Sequence, residues 1–98
     1  MALCPKWGEN TETLTGVKVL TATSARFQFL NASGAPRQVT LPAEEDSKGL
    51  FFIIFETGDS YGLAVKEDTG TTTIITISAG KAGLVACNGT VWKSLLGS

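Results

Sequence analysis

Apolar residues are densest at Leu50-Phe51-Phe52-Ile53-Ile54-Phe55, with Gly49 before them and Glu56-Thr57-Gly58 after. The run is far shorter than the roughly 20 residues a membrane helix needs, and its Phe and Ile content favours a strand. A strand with one wet face alternates apolar and polar residues, whereas this one is continuous. It therefore predicts a core strand covered on both faces, one of them by a neighbouring subunit if the protein is an oligomer. Full burial at about 1.5–3 kcal/mol per side chain, an upper bound, would make it the largest local contribution to the core.

Elsewhere short apolar segments are separated by Gly, Asn, Asp and Pro, the pattern of an all-β sandwich or barrel. Residues 17–21 begin to alternate. In Arg26-Phe27-Gln28-Phe29-Leu30 the period of two sets Phe27 and Phe29 on one face and Arg26 and Gln28 on the other. Residues 31–36 read as a turn, because Asn and Gly accept positive φ and Pro36 has no N–H for a ladder. Residues 37–41 follow as a strand ending at Pro42. Pro42 and the acids Glu44, Glu45 and Asp46 predict at most one or two helical turns. Residues 61–66, 71–77, 82–87 and 90–96 read as strands, with Glu67-Asp68-Thr69-Gly70 and Asn88-Gly89 as turns. The expected fold is an antiparallel β-sandwich or barrel of about eight short strands over residues 17–98, mostly paired as hairpins.

Residues 1–16 are different. Pro5, Gly8 and the polar run 9–13 leave Leu3, Trp7 and Leu14 as isolated apolar anchors. A segment with so little apolar area is ordered only by docking, so an extended N-terminal arm is expected, fixed on its own domain or on a neighbour.

Composition narrows the function classes. A chain of 98 residues forms one domain, near the size at which oligomerisation helps stability. Eight Lys plus Arg against nine Asp plus Glu remove the electrostatic argument for nucleic-acid or anionic-membrane binding. Charged residues are 17% of the chain, below the average of about 25%, which suits a protein packed among copies. No signal-peptide core and no membrane-length run is visible, so synthesis and residence in a cytoplasm are expected. Cys4 and Cys87 lack metal-ligand spacing and are expected as free thiols. Asn31-Ala32-Ser33 and Asn88-Gly89-Thr90 fit the glycosylation pattern but read as turns.

There is no histidine, which removes the commonest general base, the His-containing triads and dyads, and His-ligated metals. Glu44, Glu45 and Asp46 read as a solvated face, and Gly80-Lys81-Ala82-Gly83 lacks phosphate-loop spacing. No catalytic residue, cofactor or metal ligand is expected. Tyr61, Trp92 and the phenylalanines read as core, with a sugar-binding platform as the alternative use of Tyr61 or Trp92.

Residues 21–97 resemble small β-modules of tailed-bacteriophage virion proteins. The matching features are Val39-Thr40-Leu41-Pro42, the Gly-Leu-Phe-Phe-Ile-Ile-Phe strand, the Thr/Ile-rich strand and the closing Cys87-Asn88-Gly89-Thr90-Val91-Trp92 hairpin. Such motifs occur in capsid decoration (cement) proteins, head fibres and pieces of tail fibres. The chain departs from the tail-fibre pattern in length: it starts at Met1 and is expected to stand alone, without a shaft or attachment region. The resemblance implies a viral structural protein that sits on the outside of the phage head as an oligomer, commonly a trimer. Its partners would be the major capsid protein and its own copies, with arm contacts through Leu3, Trp7 and Leu14 and no enzymatic activity. The alternative is a host-surface or glycan-binding tip of a tail or head fibre.

Overall fold

A computed structural model describes residues 8–97. Among the described residues the strands are β1 Glu9–Leu14, β2 Lys18–Val19, β3 Phe27–Ala32, β4 Arg37–Thr40 and β5 Phe51–Glu56, then β6 Leu63–Lys66, β7 Thr73–Ile77, β8 Ala82–Cys87 and β9 Trp92–Gly97. The expected helical stretch is a single 3-10 turn, Glu44–Asp46. The strands form two sheets, one ordered β1-β3-β5-β8-β9 and the other β2-β4-β6-β7. The all-β class is as expected, and neither sheet closes into a barrel.

The connectivity differs from the expected hairpins. From β1 to β6 the chain changes sheet after every strand, so neighbours within a sheet run parallel: β1 with β3, β3 with β5, β2 with β4 and β4 with β6. Only β6–β7 and β8–β9 are consecutive antiparallel pairs, and β8 joins β5 antiparallel. The connections carry apolar plugs that draw the chain across. Leu20 and Leu41 follow β2 and β4, are buried, and donate backbone N–H groups to Thr40 and Lys66 at 2.8 Å each. A hairpin turn would leave these leucines in water. Asn88-Gly89 is a turn as expected, with the Asn88 carboxamide oxygen accepting from the N–H groups of Thr90 and Val91.

One apolar cluster joins the sheets. Leu30, Phe52, Ile54, Val85 and Trp92 of the five-stranded sheet meet Val39, Leu63, Val65 and Ile77 of the other. The sheets approach closely at Gly83, where a Cβ would lie 2.7 Å from Ile75 Cδ1, so a larger residue in β8 would displace the Ile75 side chain. Trp92 is core, its Nε1 donating to the Pro42 carbonyl at 3.0 Å.

Part of the expected arm is a strand. Residues 9–14 pair with β3 along their whole length, so ladder bonds order a segment whose side chains could not, and Leu14 is buried in the core. Leu3 and Trp7 lie outside the described residues.

Candidate functional site

The five-stranded sheet carries apolar residues on both faces, and the outer one is the candidate site. In β5 the period of two sends Phe52, Ile54 and Glu56 inward and Phe51, Ile53 and Phe55 outward. The inward set is buried; the outward set is only half-buried. Register extends the outward set across the sheet. Ile53 lies between Phe27 of β3 and Leu84 of β8, and Leu84 is followed by Leu95 of β9. Phe55 lies between Phe29 and Ala82. The Phe29 and Phe55 rings stack with centroids 4.6 Å apart and planes 6° from parallel. At about 4.8 Å per strand spacing, this apolar band, from β3 to β9, crosses roughly 14 Å of sheet. It ends at Leu95, which is 67% exposed.

Within one chain, the expected double burial of residues 50–55 is met on one face. The run is two alternating sets, and only one of them, with Leu50, lies in the core. Continuity in sequence showed correctly that neither face is polar. It could not show that the second face would lack a covering sheet among the described residues. In β3 the expected inward face is reversed. Phe27 and Phe29 face out and Gln28 faces in, where its carboxamide donates to the Ala25 carbonyl and accepts from Asn10 at 2.8 and 2.9 Å. A buried amide is tolerated there because both ends are bonded.

Of the anchors expected to reach a neighbour, Leu14 is 3% exposed inside its own core, so it offers no contact surface. The placement follows from register: Leu14 pairs with Ala32, whose side chain also faces inward. Tyr61 is 38% exposed in the loop after β5 rather than in the core, whereas Trp92 is buried and offers no sugar platform.

A second cluster is electrostatic. Glu44, Glu67 and Asp68 bring a carboxylate oxygen each to within 4.8 Å of one another. Sequence reading grouped Glu44 with its neighbours Glu45 and Asp46, but the fold brings it to the β6–β7 loop. Glu67 uses its oxygens on that loop, accepting from the Thr69 hydroxyl and from the backbone N–H groups of Thr69, Thr71 and Thr72. These bonds, the Thr69 hydroxyl foremost, lower its pKa to about 2. The cluster is thus a loop cap. Cys87 is a buried free thiol, its Sγ accepting from the Gly89 N–H at 3.3 Å, and Cys4 lies outside the described residues.

Buried Glu56 ties three connections together. Its carboxylate accepts from Ala32 N and Gly80 N, each at 2.9 Å, joining the ends of β3 and β5 to the β7–β8 loop. The sequence signal was present, a lone acid closing an apolar strand at the next inward position, but the run was read as ending at Phe55.

Comparison with known proteins returns no match: no family model, curated protein or solved structure aligns with the chain. No helix among the described residues is long and apolar enough to cross a membrane. The functional reading therefore rests on the chain's own chemistry.

Proposed function

We propose that the chain is a viral structural protein, a capsid decoration (cement) protein that binds the outside of a tailed-phage head as a homotrimer and stabilises it. The observation that supports this most is the outer face of the five-stranded sheet, where Ile53, Phe55, Leu84 and Leu95 form an apolar band on a scaffold with few charges. Contiguous apolar bands of this kind mark surfaces made for another protein. We read the two sheets and their common core as a β-sandwich whose outer face supplies the contact between copies. The arm, through Leu3 and Trp7, supplies the contact with the major capsid protein. The module is not an enzyme on this reading and uses no nucleic acid, membrane or cofactor. Modest contacts suffice, because a closed shell engages many copies together.

Particles prepared with and without the protein test the reading. Those carrying it should resist heat and osmotic shock better, and electron microscopy should place it on the outer surface of the head. Equal resistance, or density on the tail alone, would sink it.

A further inference from the structure

β3 and β5 are parallel neighbours, so the chain leaves both at the same end of the sheet. The loops that follow, 33–36 and 57–62, stand side by side and enclose an open groove of about 240 Å³. Asn31, Ser33, Asp59, Ser60 and Tyr61 line it over Gly58. Its floor is rigid for a physical reason. Glu56 holds Ala32 and Gly80 from beneath, and a Cβ on Gly58 would lie 2.6 Å from Asn31 Oδ1 and 2.9 Å from Glu56 Oε2. On the Ser33 side the Arg37 guanidinium donates to the Ser33 carbonyl, while its buried Nε has no hydrogen-bond partner.

Polar groups at the groove remain open for a ligand. Among the described residues the side chains of Asn31, Ser33 and Tyr61 make no hydrogen bond, and Asp59 accepts only from Ser60 through Oδ1. We infer that this groove binds a neutral saccharide, one ring at a time. The Tyr61 ring offers an apolar face for the C–H side of a pyranose. The Asn31 carboxamide and the Asp59 carboxylate can each engage hydroxyl groups, the amide as donor and acceptor and the acid as acceptor. Asp59 disfavours sulfated or phosphorylated rings by like charge. The volume lies below the roughly 300 Å³ at which pockets begin to enclose drug-sized ligands, which limits each site to a single ring and weak affinity. The inference does not depend on the decoration reading, since it uses a different surface of the module.

The test is saturation-transfer NMR on the full chain with a panel of neutral hexoses and N-acetylhexosamines, and with choline as a cationic control. Ring C–H signals of at least one sugar should receive saturation. Tyr61→Ala should weaken that binding by about five- to tenfold, and Tyr61→Phe should retain it. Both variants should keep the parent far-UV circular dichroism, because Tyr61 lies in an exposed loop. Saturation of no sugar overturns the inference, as does sugar binding unchanged in Tyr61→Ala. Binding of choline alone, abolished by Asp59→Asn, also overturns it and makes the groove a cation site.

Discussion

The two faces of β5 are built from nearly the same residues, yet they have different fates. Inward, Phe52 and Ile54 meet the side chains of a second sheet; outward, Ile53 and Phe55 lie beside their own sheet's neighbours and face away from that second sheet. Composition therefore does not distinguish a core from an outer face. What distinguishes them is whether the chain itself supplies the opposing layer, and topology decides that. Here the crossovers between β1 and β6 place β2, β4 and β6 against one face of the five-stranded sheet only.

Substitutions on each face can break this contrast. The largest loss of stability is expected for Phe52→Ala, at about 3–5 kcal/mol from lost burial plus a cavity, read as a lower urea midpoint with an unchanged slope. Glu56→Ala should follow at about 1–3 kcal/mol, because it leaves the Ala32 and Gly80 N–H groups without their acceptor. Ile53→Asp, one residue from Phe52 but facing outward, should cost only about 1–2 kcal/mol. The Ile53→Asp monomer should stay folded while self-association, measured by analytical ultracentrifugation, is lost. If Ile53→Asp unfolds the chain as Phe52→Ala does, the two faces are equivalent and the contrast fails.

The smallest effect concerns pH. Glu67 has a pKa of about 2 in the fold against an ordinary value of 4.5. A carboxylate with a lowered folded-state pKa contributes stability that is present above pH 4.5 and lost as pH falls through about 2. The amides of Thr71 and Thr72 should therefore shift and exchange faster over that range while the Phe52 and Trp92 signals hold. Loss of the core signals in the same step would show that the loop and the core are one cooperative unit.

The strands themselves were largely legible, because β-branched and aromatic clusters between turn residues are a local property. Residues 37–41, 61–66 and 82–87 each contain a strand. Glu9–Leu14 was not legible: its polar side chains carry no period, and it is ordered by backbone bonds to β3, which sequence does not display. Parallel pairing was hidden for a related reason, since turn residues announce that a chain reverses and not whether it returns in the same layer. The candidate outer face was visible as one half of residues 50–55, but a sequence does not show which layer covers it. The groove was not visible, because Asn31 and Tyr61 lie far apart in sequence and meet through the parallel pairing of β3 and β5.

That pairing also dictates an order of events during folding. Each strand from β1 to β4 finds its next partner only after another strand has been laid down in the opposite sheet, 18 to 26 residues later. The hairpins β6–β7 and β8–β9, which offer cheap local contacts, are made after these strands. A chain emerging from a ribosome therefore holds its phenylalanine-rich segment unsheltered until β8 arrives to flank β5. Refolding in milliseconds to seconds, with a nucleus in the C-terminal half, is the expected kinetic signature of this winding, and shielding by a chaperone matters most before β8 has been made.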